Sequence, residues 1–325
     1  MTVWRHPSAV HVDEPTVVTV GNFDGVHRGH RVVLRRAAAV AWRAGGRRDG
    51  SAAVVAVTFD PHPVSVLAPD RAPLALTRLD RRLDLLRESG ADHVLVLGFD
   101  RAVAGWSPED FVRRVLVDAL HAAAVVVGTD FRFGARAAGT VDTLRAEGER
   151  HGFLVEAVEP QAGTGEAPWS STAVRAAIAA GDVAAAAHVL GRDHTVDGVV
   201  VEGDHRGRAL GYPTANVPAP GSLAVPADGV YAGSLRRLDA ADAPDWPAAV
   251  SVGTNPTFDG AQRRVEAYVL DRDDLLLYGA PVRVSFRARL RGQVRFDDAE
   301  PLVAQMASDV EATRAALSPQ PPGRP

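Results

Sequence analysis

Two stretches of this 325-residue chain gather residue types that handle anions. Gly21-Asn22-Phe23-Asp24-Gly25-Val26-His27-Arg28-Gly29-His30 stands between a β-branched run, Val17 to Val20, and a segment of helical period. In a parallel sheet, the junction of strand and helix is where ligands bind and where helix-end N–H groups face negative charge. The glycines let a phosphate chain approach the backbone, and the spacing of His27 and His30 lets both imidazoles turn toward one phosphate. By themselves these residues also read as a loop-to-helix cap with two solvated histidines. A metal pair is a third reading, although no carboxylate set of matching spacing accompanies it. Ser170-Ser171-Thr172-Ala173-Val174-Arg175 opens another helical segment. Hydroxyls, helix-end amides and a guanidinium in this order can hold the far end of a triphosphate, while Ser and Thr are equally ordinary N-caps.

In the second half, Gly211-Tyr212-Pro213-Thr214-Ala215-Asn216 leads into an extended run. Thr214 and Asn216 are two apart, so a hydroxyl and an amide oxygen share one strand face. Hard oxygens of this kind suit Mg²⁺ that keeps waters and nucleotide phosphates; the plain alternative is a surface turn entering a strand. Glu266, taken alone, reads as a solvated strand carboxylate.

Composition narrows the chemistry. The chain has no cysteine, which excludes a disulfide framework, thiolate metal sites and a cysteine nucleophile. Its 36 basic residues are all arginine, so neither a P-loop lysine nor a Schiff-base lysine is available. With a net charge of -4 and no long basic stretch, nucleic acid is not an expected partner. No apolar run reaches the ~18 residues of a membrane span, and the first residues lack a secretory apolar core. The expectation is a soluble, cytoplasmic protein with no membrane partner.

The elements that must position these residues fall into two textures. The first half alternates short β-branched runs (Val17 to Val20, Ala53 to Thr58, His93 to Leu97, Ala124 to Val127, Phe153 to Val158) with helical segments (His30 to Ala44, Leu79 to Ser89, Pro108 to Leu120, Val141 to His151). That rhythm predicts a parallel sheet with helices on both faces. A helical pair follows, Thr172 to Ala180 and Val183 to Leu190, broken at Gly181-Asp182. From about Thr195, extended runs are separated by Gly, Pro, Asp and Asn: Thr195 to Glu202, Thr214 to Val217, Gly229 to Leu235, Ala248 to Val252, Arg264 to Leu270 and Val282 to Arg289. These predict a small antiparallel barrel, with a last helix, Pro301 to Leu317, covering one side.

The two N-terminal segments resemble the HxGH-type and SSTxxR-type motifs of the nucleotidylyltransferase superfamily. More closely, they resemble the FMN adenylyltransferase module of bacterial bifunctional riboflavin kinase/FAD synthetases. The match extends to Thr58-Phe59-Asp60-Pro61-His62-Pro63 and to Val127-Gly128-Thr129-Asp130-Phe131-Arg132-Phe133-Gly134. Pro213-Thr214-Ala215-Asn216 resembles the PTAN signature of riboflavin kinases. In order after it come Asp228 to Ala232, Val252 to Phe258, Val265 to Tyr268, Leu277 to Gly279, Leu290-Arg291 and Arg295-Phe296-Asp297. The resemblance runs from about Val17 to Leu317.

It implies an α/β plus all-β protein. A doubly wound parallel-sheet nucleotidylyltransferase domain (1–187) precedes a small β-barrel riboflavin kinase domain with a C-terminal helix (188–325). The implied reactions are ATP plus riboflavin to FMN, then ATP plus FMN to FAD and pyrophosphate, with Mg²⁺ as cofactor. The resemblance implies that His27 and His30 are catalytic, binding and neutralising the ATP phosphates. It puts Gly21, Asn22, Phe23, Asp24, Gly29, Asp130, Ser171, Thr172 and Arg175 at the nucleotide, and Phe59 and Pro61 at the flavin. In the kinase half it puts Gly207, Gly211, Thr214 and Asn216 at Mg-ATP, Thr214 and Asn216 at the metal, and Tyr278 and Arg291 at the flavin. Glu266 becomes the base that takes the proton of the riboflavin 5′-hydroxyl. Three places depart from the pattern: Trp169 before the serines, Leu276-Leu277 before Tyr278, and Gly292-Gln293-Val294 after Arg291. Rival readings are a chain with one live module, a non-catalytic flavin or nucleotide sensor, and a tRNA-handling enzyme. The last leaves the barrel motifs unexplained.

Overall fold

The computed structural model describes residues 1–44, 52–163, 167–203, 211–257, 260–296 and 298–318. Packing divides the chain into Met1–Pro73 with Arg78–Ser170, and Leu74–Thr77 with Ser171–Pro325. Each unit has its own core.

The first unit is built on β1 (Thr2–Trp4), β2 (Thr16–Val20), β3 (Ala53–Asp60), β4 (His93–Gly98), β5 (Ala122–Gly128) and β6 (Leu154–Val158). Their order is β1-β4-β3-β2-β5-β6, and every neighbouring pair is parallel. Around the sheet run α1 (Arg28–Ala44), α2 (Pro63–Leu67), α3 (Leu79–Glu88), α4 (Arg101–Ala104), α5 (Pro108–Phe111) and α6 (Val141–His151). Strands rich in Val and Ala fit here because both faces are covered. On one face Val18, Val55, Leu95 and Val125 meet Phe111, Leu116 and Leu144. On the other, Ala56 and Val94 meet Leu34 and Leu86, and Val17 and Val126 meet Ala37 and Val40. The chain steps outward from β2 to β3 to β4 and then crosses back to β5. The ends of β2 and β5 therefore form the point where strand order reverses, the usual crevice of such sheets.

The helix expected over 108–120 is α5 followed by a π-helical turn, Val112–Val117. There the Asp118 and Leu120 N–H groups donate to carbonyls five residues back, at Arg113 and Val115 (2.8 and 3.1 Å). β1, α2 and α4 are additions; each is too short to carry a period.

The second unit contains β7 (His194–Val199), β8 (Thr214–Pro218), β9 (Gly229–Arg237), β10 (Trp246–Thr257), β11 (Gly260–Val269) and β12 (Pro281–Arg291). All pairs are antiparallel, in the order β7-β12-β9-β10-β11-β8. The sheet closes into a barrel just beyond β7, where the Val201 N–H donates to the Asn216 carbonyl at 2.9 Å. Alternate residues such as Ala215, Val217, Val250, Val252, Val265 and Ala267 fill the interior. Among the described residues the helices of this unit are α7 (Ser171–Ala180), α8 (Val183–Leu190) and α9 (Ala299–Leu317). α8 starts where Asp182 caps it, its carboxylate accepting the Ala185 N–H at 2.9 Å. Val174, Ile178, Ala186 and Leu190 of α7 and α8 pack with Leu76 and Ala224. The helical pair is thus packed in the second unit, and the packing division at 170/171 lies upstream of the change in sequence texture. α9 lies over β9, β10 and β12. Gly207 and Asp297 lie outside the described residues.

Candidate active sites

In the first unit, β2 is buried along its length and delivers the chain to Gly21. The loop then turns through positive φ at Phe23 (50°), Gly25 (79°) and Val26 (38°). His27 stands just ahead of α1 and caps it: the His30 N–H, in the first turn, points to His27 Nδ1 at 3.4 Å. The two imidazoles stack, their centroids 3.6 Å apart and their planes 26° from parallel, and the Phe23 ring meets His30 edge-on at 5.1 Å. Gly29 is required by close approach. A Cβ there would stand 3.0 Å from His27 Cε1 and 3.2 Å from the Trp169 carbonyl. Arg28 lies over the Trp169 ring at 5.5 Å, so the residue that departs from the family pattern packs against the start of α1. Paired rings at a helix N-terminus offer donors and a favourable field to an anion.

Asn22 and Asp24 belong to the same loop, Asp24 only 2 % exposed. The Asn22 side chain lies 3.2 Å from His62 Nε2. Phe59, half-buried against Phe99, lies at the end of β3 and exposed Pro61 follows it; exposed Asp130 follows β5, beside β2 in the sheet. Parallel strands put these loops at one edge, so Gly21 to His30, Phe59, Pro61 and Asp130 share it. Ser171, Thr172 and Arg175 open α7 in the second unit, where Arg175 Nε donates to the Leu74 carbonyl at 2.7 Å.

In the second unit, strand register makes a row. Asn216 pairs with Glu266, Glu266 with Ser251, Ser251 with Val230 and Val230 with Arg291, running across β8, β11, β10, β9 and β12. Thr214 pairs with Tyr268 one step along. Because neighbouring Ala215, Val217, Val265 and Ala267 point inward, this row faces outward; Glu266, Ser251, Val230 and Arg291 lie beneath α9, whereas Asn216 is buried and lines neither of the cavities there. Leu302, Met306 and Val310 of α9 roof a cavity of about 240 Å³ over Thr214, Glu266 and Tyr268. A second cavity of about 650 Å³, with Arg264, Asp228 and Thr254 in its walls, shares Ser251, Glu266, Gln293 and Val294 with the first. Glu266 stands where an apolar recess meets a polar one. Burial raises the Tyr268 hydroxyl above its ordinary value, with Tyr212 adding to the effect.

Arg291 lines the apolar recess and is held there by Asp309 of α9, with Nε and Nη2 donating to the two carboxylate oxygens at 2.8 and 2.6 Å. Gly211 has φ 85°, a turn that favours glycine ahead of β8. Tyr278 is 51 % exposed and lines neither cavity. Sequence reasoning missed Ser251, Gln293 and Asp309. The Gln293 amide donates to Ser251 Oγ (3.0 Å) and the Val252 carbonyl (2.9 Å), tying down the loop that departs from the family pattern.

Residues 9–173 match the family model for FAD synthetase, and residues 190–317 match that for riboflavin kinase. A bifunctional riboflavin kinase/FMN adenylyltransferase of Escherichia coli K12 is 38% identical over 296 residues, 91% of each chain. Its Pseudomonas fluorescens counterpart is 37% identical over 93% of each. A Streptococcus pneumoniae crystal structure described as a macrolide-efflux protein superposes with a TM-score of 0.85 at 30% identity, covering 96% of this chain and 98% of that one. Among the described residues here, no helix is long and apolar enough to cross a membrane.

Proposed function

The chain belongs to the family of bifunctional riboflavin kinase/FMN adenylyltransferases, and on that premise we propose that riboflavin is phosphorylated on the outer face of the barrel and FMN adenylylated at the edge of the parallel sheet. It converts riboflavin and ATP to FMN, and FMN and ATP to FAD and pyrophosphate. The observation that carries the kinase assignment is the row from Glu266 through Ser251 and Val230 to Arg291 beneath α9.

In the kinase step, Glu266 accepts the proton of the riboflavin 5′-hydroxyl as its oxygen joins the γ-phosphorus and ADP leaves. The apolar recess under α9 takes the flavin ring, with Arg291 at its wall, and Tyr278 approaches the flavin from outside the cavities. Gly207, Gly211, Thr214 and Asn216 serve Mg-ATP. The donor chemistry fits Mg²⁺: Thr214 and Asn216 supply hard oxygens on one strand face. Bound there, Mg²⁺ would spread the charge of the phosphates.

In the adenylyl step, a phosphate oxygen of FMN attacks the α-phosphorus of a second ATP and pyrophosphate departs. His27 and His30 donate to the phosphates as charge develops on the leaving group. Gly21, Asn22, Phe23, Asp24 and Gly29 shape that loop, Asp130 borders the nucleotide, and Phe59 and Pro61 border the flavin. Ser171, Thr172 and Arg175 hold phosphate at the start of α7. Since α7 carries this motif, the functional modules are proposed as 1–187 and 188–325, whatever the packing division. A cytoplasmic setting belongs to the same proposal.

The test is Glu266→Gln, which keeps shape and removes basicity. FMN turnover should fall by about 10² to 10⁴, with FAD still formed from supplied FMN. A Gln variant that keeps most of its FMN-forming turnover removes Glu266 from the mechanism.

A further inference from the structure

Arg82, on α3, takes no part in the chemistry above, yet the residue is only 6 % exposed. A guanidinium is carried out of water only where partners compensate it. Nη1 donates to the Phe59 carbonyl at 3.1 Å and points to Thr58 Oγ1 at 3.4 Å, while Nη2 lies 4.0 Å from the buried Asp24 carboxylate. The Thr58 hydroxyl in turn donates to the Asn22 carbonyl at 2.9 Å. One side chain thus fastens the end of β3, at Thr58 and Phe59 and just ahead of Pro61, to the loop that ends in His27 and His30.

That loop needs fastening. Phe23 and Val26 both hold positive φ, a region that residues with a Cβ seldom adopt, and Asp24 lies between them. Such backbone persists only where its surroundings over-determine it. The planar fork of arginine reaches acceptors on both strand ends at once, which the single ammonium of lysine does not. We propose that Arg82 is a positioning residue for adenylyl transfer, setting the Gly21–His30 loop against the end of β3 so that His27 and His30 meet the phosphates in one geometry. The proposal rests on the assignment of adenylyl transfer to this edge of the sheet.

The test compares Arg82→Met, Arg82→Lys and Thr58→Val in the full chain. For each, kcat and KM for ATP are measured in FAD formation from FMN, with riboflavin phosphorylation by the same preparation as the internal control. Arg82→Met should lower kcat for FAD by about 10²-fold, the scale on which a misplaced catalytic group costs rate. KM for ATP should move less than kcat, and FMN formation should be unchanged. Arg82→Lys should recover roughly a tenth or more of the loss, and Thr58→Val, which removes the hydroxyl between Arg82 and Asn22 but leaves the bond to the Phe59 carbonyl, should lie between wild type and Met. If Arg82→Met does not fold, the Lys and Val variants decide by the same split of kcat from KM. A Met variant with wild-type kcat, a loss confined to KM, or an equal loss of both activities overturns the proposal. A wild-type chain that makes no FAD overturns the underlying assignment instead.

Discussion

Replacing His27 or His30 by Ala removes one ring from a stacked pair at the start of α1. FAD formation should fall by about 10²-fold or more, the usual loss for one donor to developing charge, while FMN formation stays near wild type. Assays of the two products on the same variant check this, and an equal loss of both would mark a folding defect. Gly29→Ala is the subtler case. In a helix interior Ala is favoured over Gly by about 1 kcal/mol, yet here the new Cβ would stand 3.0 Å from His27 Cε1 and 3.2 Å from a main-chain carbonyl. We expect FAD formation to drop, and unchanged FAD kinetics would show that the ring can yield. These histidines were legible in the sequence because the chemistry and its spacing lie within one short loop. Arg82, Ser251 and Asp309 were not, since each acts on a partner outside its own element, 18 to 42 residues away, and no local pattern marks them. Trp169, a departure in the sequence, packs beneath the Arg28 guanidinium.

At the level of elements, α9 is held to the barrel by more than its apolar side. Arg291 and Asp309 meet through two charge-assisted bonds, and Gln305 donates to the same carboxylate at 3.0 Å. Asp309→Ala leaves a largely buried guanidinium without that partner, a change worth about 3 kcal/mol in comparable pairs. The second unit should unfold at lower denaturant, and KM for riboflavin should rise as the roof over Thr214 and Glu266 loosens. A variant with wild-type stability and KM would show that α9 is seated by its apolar residues alone. The sequence reads the barrel strands well because their inward Val and Ala alternate with polar residues, as in Thr214 to Val217 and Val265 to Tyr268. It reads β3, β4 and β5 as mostly apolar runs, as burial on both faces requires, whereas the edge strand β6 is broken by Glu156 and leaves Leu154 exposed. What it does not reveal is short or irregular: β1, α2, α4 and the π-helical turn after α5 carry too few residues for a period to form.

Over the whole molecule, the texture of the sequence changes after the helical pair, whereas packing changes before it. Val183 belongs to the barrel core, and Val174, Ile178 and Leu190 pack with Ala224. A fragment from Ser171 to Pro325 should therefore fold and make FMN without FAD. One beginning at Asp193 should unfold at a distinctly lower temperature, having lost that apolar cover. Equal melting temperatures would mean that α7 and α8 add nothing to the barrel. The most direct test of two independent sites is a time course. The full chain, His30→Ala and Glu266→Gln are each incubated with riboflavin, ATP and Mg²⁺, and riboflavin, FMN and FAD are separated at intervals. In the wild type FMN should rise first and then be drawn down into FAD; His30→Ala should stop at FMN, and Glu266→Gln should stall at riboflavin while still converting supplied FMN. Both variants failing at the same step, or a wild type that makes FMN and never FAD, would contradict the account.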